Sequence, residues 1–234
     1  MARYSLVLLD NDGTLMDFKR AQNHALSEML KALGLPGGPD ILKVYDKINT
    51  MVWEEFERGE LTKPQLQDKR FRLLAQHLGV EHLTPREMNE AYADQLALCT
   101  FSEPGAEELL QRLYGKCTLA MITNGVERVQ TSRYERSFLK KYIPHLFVSE
   151  ALGSQKPTAE YFDQVFALLG EGVRREDAII LGDSLTADIL GGRNAGVDTC
   201  WYNPKGLPGD PDIRPTYEIR TLDAFADLIL GEDL

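Results

Sequence analysis

Leu6-Val7-Leu8-Leu9-Asp10-Asn11-Asp12-Gly13-Thr14-Leu15 is the stretch from which the rest of the chain can be read. An unbroken apolar run that ends abruptly in two carboxylates, a glycine and a hydroxyl describes a strand buried on both faces, with its C-terminal end opening into a polar site. Carboxylates two residues apart repel one another and are costly to bury. They call for a positive charge beside them, and a divalent cation is the simplest one.

Working outward, the period of the sequence changes twice. Asp17 can cap a helix running to about Leu33, with Gly34 placed to end it. After Pro36-Gly37-Gly38-Pro39, the segment from about Asp40 to Arg58 repeats apolar residues at helical spacing. Thr62-Lys63-Pro64-Gln65 and Thr84-Pro85-Arg86-Glu87 each fit a capping box with proline near the helix start. Residues 17–100 therefore read as all-helical.

From Pro104-Gly105 onward helices alternate with short apolar strands: helix Ala106 to Tyr114, strand Cys117 to Ile122, helix Glu127 to Phe138, strand Leu146 to Val148, helix Ala159 to Leu169, strand Ala178 to Leu181, helix Thr186 to Ala195 and strand Thr199 to Tyr202. Asn203 to Pro215 is a loop before a short strand and a last helix. This alternation is the signature of an α/β fold, a Rossmann-like doubly wound parallel sheet with helices on both faces. The first strand belongs to it by character. The expected organisation is a core of residues 1–16 and 101–234 interrupted after its first strand by a helical domain, residues 17–100.

Ligands of an open parallel sheet bind beyond the carboxyl ends of its strands. Three strands end there in polar residues: Asp10-Asn11-Asp12, Thr123-Asn124-Gly125 and Gly182-Asp183-Ser184. Lys156, in the loop Gly153 to Pro157, can reach the same edge. This set suits phosphoryl transfer. Asp10 with Asp183 can hold Mg²⁺ through hard oxygen ligands, the metal and Lys156 can offset phosphate charge, and Thr123 and Asn124 with nearby backbone N–H groups can bind phosphoryl oxygens. One carboxylate can act as nucleophile and the other as acid and base, for which Asp12 needs a proton.

The blander readings stand beside these. Asp10 and Asp12 can form a turn after a strand, Thr123 a turn or cap, Asp183 a helix cap, and Lys156 a solvated loop lysine. It is their ordered combination that favours chemistry. Tyr45, Trp53 and Phe56 at helical spacing read first as core. Arg128, Arg133 and Arg136 read as the solvated face of one helix. The four histidines share no metal-ligand spacing.

Composition narrows the alternatives. With 43% hydrophobic residues in 234, there is ample material for a packed interior. A net charge of −10 argues against nucleic-acid backbones as partners. Cys99, Cys117 and Cys200 are too widely spaced to suggest a disulfide framework or zinc site. No apolar run is long enough to span a bilayer and no leader is visible, so the expectation is a cytoplasmic protein without membrane association. Monomer and dimer both remain open.

The four motifs Asp10 to Leu15, Ile122-Thr123-Asn124, Lys156-Pro157 and Gly182-Asp183-Ser184-Leu185-Thr186-Ala187-Asp188 resemble, in order and spacing, those of the haloacid dehalogenase superfamily. The resemblance implies Asp10 as nucleophile, Asp12 as acid and base, Thr123 and Lys156 on phosphate, and Mg²⁺ on Asp10, Asp183 and the Asp12 carbonyl, with Asp188 supporting. It also implies that residues 17–100 are a C1-type cap closing over the substrate. Ile48-Asn49, the stretch Leu61 to Arg70-Phe71 with Trp53, and Asp198 to Pro204 are similar to the noncanonical pyrimidine 5'-nucleotidase branch. That makes Asn49, Trp53 and Arg70 candidate cap contacts and dUMP, dTMP or UMP candidate substrates. A sugar-phosphate phosphatase or phosphomutase is the alternative within the superfamily. A receiver-type phospho-acceptor domain is the alternative outside it, and a hydrolytic dehalogenase is disfavoured by the presence of Asp12.

Overall fold

Strand β1 (Leu6–Asp10) is buried at every position and lies between two parallel neighbours, as its uninterrupted apolar run requires. The structure is a computed structural model that describes residues 2–170 and 172–231. Its chain divides into two units, Met1–Phe18 with Thr100–Leu234, and Lys19–Cys99.

The first unit is built on a six-stranded parallel sheet of order β3-β2-β1-β4-β5-β6, comprising β1, β2 (Thr118–Thr123), β3 (His145–Val148), β4 (Ala178–Gly182), β5 (Asp198–Tyr202) and β6 (Tyr217–Ile219). The α/β doubly wound expectation holds. The chain leaves β1 toward β2 and β3, then returns to place β4 on the other side, so the order reverses at β1. This is the crevice in which such sheets bind ligands. In register, Asp10 lies beside Ile122 and Leu9 beside Leu181, which brings Asp10, Thr123 and Gly182 to one edge.

Side chains alternate between two layers. Val7, Leu9, Met121, Ile179 and Leu181 pack beneath Leu109, Leu113, Phe225 and Ile229, while Leu6, Leu8, Ala120, Ile122 and Ile180 pack against Tyr161, Phe162 and Val165. Each fully buried leucine of β1 contributes about 1.5–3 kcal/mol.

α5 (Ala106–Leu113) precedes β2, α6 (Glu127–Arg136), α7 (Leu139–Tyr142), α8 (Ser149–Leu152), α9 (Ala159–Leu169) and α10 (Leu190–Ala195) run between the later strands, and α11 (Leu222–Leu230) follows β6. Most boundaries shift by one residue, and two helices differ from the sequence reading in kind. The helix from Glu127 stops at Arg136 because Ser137 turns extended, and a separate turn, α7, follows. The helix expected from Thr186 opens with a wide π turn, Leu185–Ile189, before continuing as α10.

The second unit contains α1 (Phe18–Ala32), which begins one residue earlier, α2 (Pro39–Glu57), α3 (Lys63–Leu78) and α4 (Pro85–Leu96). Both capping boxes form: Thr62 with Gln65, and Thr84 with Glu87, exchange side-chain and backbone hydrogen bonds. Val52, Phe56 and Leu66 form one apolar cluster, and Tyr45, Phe71 and Tyr92 meet ring to ring at centroid distances of 5.4–5.5 Å.

Candidate active site

Lys156 is the hub of the strand-end residues. Its Nζ donates to Asp10 Oδ1 at 2.7 Å and to Asp188 Oδ1 at 2.6 Å, and it is only 2% exposed. Burial works against its charge, but the two carboxylates outweigh burial and hold the ammonium well above the ordinary lysine value. Asn124 fixes the loop that delivers it: the Asn124 side chain accepts from Lys156 N–H at 3.0 Å and donates to Lys156 C=O at 2.9 Å. The Asn124 side chain, expected on phosphate, is thus engaged with the Lys156 main chain.

Asp188 is held from both ends. Its Oδ2 accepts from Ser184 N–H at 3.1 Å while Ser184 Oγ accepts from Ala187 N–H at 3.1 Å, a reciprocal cap at the start of the π turn. Asp10, Asp183 and Asp188 each offer a carboxylate oxygen within 4.8 Å of the others. Asp183 counts as an exposed residue, yet its carboxylate end is crowded: a Cβ on Gly13 would lie 2.5 Å from Asp183 Oδ2. Desolvation, then the like charges of Asp10 and Asp188, push the Asp183 carboxyl well above its ordinary value. Burial pushes Asp10 up to about 7, with Lys156 opposing and Asp188 adding to the rise. Three hard carboxylates facing a single ammonium form a donor set that fits a divalent cation of the Mg²⁺ kind.

Asp12 follows in a turn where Asn11 C=O accepts from Thr14, Leu15 and Met16 N–H. Each oxygen of its carboxylate accepts one hydrogen bond and keeps a second lone pair: Gln130 Nε2 donates to Oδ2 at 2.6 Å, and Arg133 Nη1 donates to Oδ1. This corrects the reading of the three arginines as one solvated face. Arg128 and Arg136 are exposed, but Arg133 is completely buried, because the stripe of α6 that faces the core is Val129, Gln130 and Arg133. Thr123 Oγ1 accepts from Gly125 N–H at 3.0 Å, so its hydroxyl closes the turn after β2 at the edge occupied by Asp10.

The sequence profile of the haloacid dehalogenase-like hydrolases matches residues 4–196. The chain belongs to the haloacid dehalogenase-like hydrolases. Within that family it is 38% identical to the HAD-hydrolase YfnB of Bacillus subtilis, over 98% of this chain and 97% of the relative. It is 35% identical to the pyrimidine 5'-nucleotidase PynA of Streptococcus pneumoniae, over 97% and 95%. A crystal structure of YfnB bound to magnesium matches with a TM-score of 0.92 at 37% identity, covering 97% of this chain and 99% of that one. The protein is an enzyme, a phosphatase of this family, and the receiver-type alternative falls. None of the helices among its described residues is long and apolar enough to cross a membrane.

The three cap candidates belong to the helical unit. Asn49 and Arg70 are buried there and bonded to each other: Arg70 Nη1 donates to Asn49 Oδ1 at 3.4 Å, Arg70 Nη2 to Asn89 Oδ1 at 2.7 Å, and Asn49 Nδ2 to Gln22 Oε1 at 2.9 Å. Trp53 is half-buried, edge-on to Phe56 at 5.5 Å, with Lys63 Nζ 4.6 Å above its ring.

Sequence reasoning missed two residues at the site: Gln130 was not singled out, and Arg133 was read as solvated. A signal was present. Val126, Val129, Gln130 and Arg133 recur at the i, i+3, i+4, i+7 spacing of a core-facing stripe, which outranks the charge of its last member.

Proposed function

We propose that this protein is a Mg²⁺-dependent phosphomonoesterase that works through an aspartyl-phosphate on Asp10 and acts on pyrimidine nucleoside monophosphates. The observation that carries the reading is the bridge from Lys156 to Asp10 and Asp188 with Asp183 within 4.8 Å. It couples one nucleophile candidate to a buried cation and to further oxygen ligands.

Asp10 attacks phosphorus while Lys156 holds the nucleophile's other oxygen and offsets charge on the phosphoryl group. Asp12 passes a proton to the departing oxygen and takes one back from the water that opens the acyl phosphate. Thr123 and the turn N–H groups beside it bind phosphoryl oxygens, with Asn124 keeping Lys156 in place. Asp10, Asp183 and the Asp12 carbonyl would hold Mg²⁺, with Asp188 in support. There the ion would neutralise charge developing on the phosphoryl oxygens.

The core, residues 1–16 and 101–234, carries this chemistry, and residues 17–100 form the cap that selects the leaving group. Support for the pyrimidine preference comes from PynA and from the pyrimidine 5'-nucleotidase YjjG of Escherichia coli, 31% identical over 97% of this chain. The test is phosphate release with Mg²⁺ from nucleoside monophosphates and sugar phosphates. Faster turnover of dUMP, dTMP or UMP supports the reading, and a preference for sugar phosphates replaces the substrate class while keeping the chemistry. Turnover by Asp10→Asn at the parent rate would remove the covalent mechanism.

A further inference from the structure

We propose that Gln130 and Arg133 are positioning residues that set the direction of the Asp12 carboxyl for proton transfer to the leaving oxygen. The inference rests on the acid and base role given to Asp12 above. Gln130 and Arg133 lie three residues apart on one face of α6, 2% and 0% exposed, and between them engage both Asp12 oxygens.

A further contact fixes which end of the Gln130 amide meets Asp12. Asn11 Nδ2 donates to Gln130 Oε1 at 2.6 Å, so the amide oxygen is turned toward Asn11 and its NH₂ toward Asp12. Gly125 provides the room, since a Cβ there would lie 2.1 Å from Gln130 Nε2. The chain Asn11–Gln130–Asp12–Arg133 therefore constrains the acid through its immediate sequence neighbour and through a helix more than a hundred residues away.

Stability alone does not account for this arrangement. A buried ion pair is often matched or bettered by apolar residues of similar volume. Here an arginine and a glutamine are buried against a partly exposed carboxylate, whose side chain is 21% accessible. What they add is geometry. When the bond from phosphorus to the leaving oxygen breaks and the bond to Asp10 forms, the Asp12 proton must lie on the line of departure. Asp12 ends that step as the carboxylate, and the following water returns the proton.

Such a role predicts a leaving-group signature. An alkoxide departs poorly without a proton, whereas 4-nitrophenolate departs readily without one. The quantity to compare is kcat/KM, which reports the steps through phosphoryl transfer to Asp10, for a nucleoside monophosphate or glycerol phosphate against 4-nitrophenyl phosphate. Gln130→Met should lower kcat/KM on the alkyl ester about 100-fold and on the aryl ester only about threefold, in line with the share of rate that positioned acids supply. Arg133→Lys, which keeps a cation, should show the same bias to a smaller extent and remains informative if Arg133→Met does not fold. Equal losses on both esters, or none, would overturn the proposal. Asp12→Ala separates the two layers. If it too lowers both esters equally, the acid role falls and the positioning role with it; if it shows the bias and Gln130→Met does not, the positioning role alone falls. Glycerol phosphate keeps the comparison independent of any nucleotide preference.

Discussion

Gly182 leaves the space that Asp188 fills: a Cβ on Gly182 would lie 2.2 Å from Asp188 Cγ and 2.5 Å from its Cβ. The obstruction includes the root of the side chain, so rotation cannot relieve it. Gly182→Ala should push Asp188 off Lys156, lowering stability by about 2 kcal/mol, as overpacking does, and lowering turnover at least about tenfold, as misplaced catalytic groups do. Urea unfolding and phosphate release would measure the two effects.

Removal of the shared ammonium should be more damaging. Lys156→Met leaves Asp10 and Asp188 buried without their cation, and breaking a buried pair costs about 3–5 kcal/mol. Protonation can relieve part of that cost, so the loss in denaturant unfolding should be larger at about pH 8 than at about pH 6, consistent with burial already raising Asp10 to about 7. Asp188→Asn, which keeps a lysine acceptor, should lose less stability than Lys156→Met.

The Asp10 shift also fixes a pH dependence. Its folded value, about 7, lies above the ordinary 3.8, so the folded state holds this proton more tightly than the unfolded state. The resulting stabilisation is complete below the unfolded value and is lost as pH rises through about 7, and Asp183 acts in the same direction. In chelator, this site's contribution to Tm should therefore fall on going from about pH 6 to about pH 8. Added Mg²⁺ binds the deprotonated oxygens, so its Tm increment should be larger at about pH 8. Thermal scans of the parent and of Asp183→Asn at both pH values would measure it, and an equal increment in the two proteins would contradict the metal assignment.

Arg70 makes a prediction confined to the helical unit. Its guanidinium bonds Asn49 and Asn89, and its central carbon lies 5.2 Å from the ring centroids of both Phe71 and Tyr92. Arg70→Met strands two buried amide oxygens and should destabilise that unit by about 2–3 kcal/mol. Hydrogen exchange should show faster opening in residues 19–99 than in the sheet, where β1 and β2 keep their protection.

Much of the fold was legible because its determinants are local. The Leu6–Leu9 run, the Thr62 and Thr84 capping boxes and the alternation after Pro104 each follow from residues within one element, and in a parallel sheet the strand ends that carry Asp10, Thr123 and Asp183 fall on one edge. The site's inventory was therefore readable before its contacts were.

The contacts were a different matter. Asn124 gave no sign that its amide would be spent on the main chain of Lys156, 32 residues on, and Asn49 and Arg70 gave none that they would bond to each other in the helical interior. Arg133 read as solvated because charge on a helix usually is, and its partner Asp12 is 121 residues away. By itself the sequence determined the strands, the longer helices and which reactive groups reach the sheet edge, since propensity, capping and periodicity act over a few residues. Only the tertiary structure decided that Lys156 joins Asp10 to Asp188 and that Gln130 and Arg133 hold Asp12, because a buried charge is tolerable only where the fold brings it a partner.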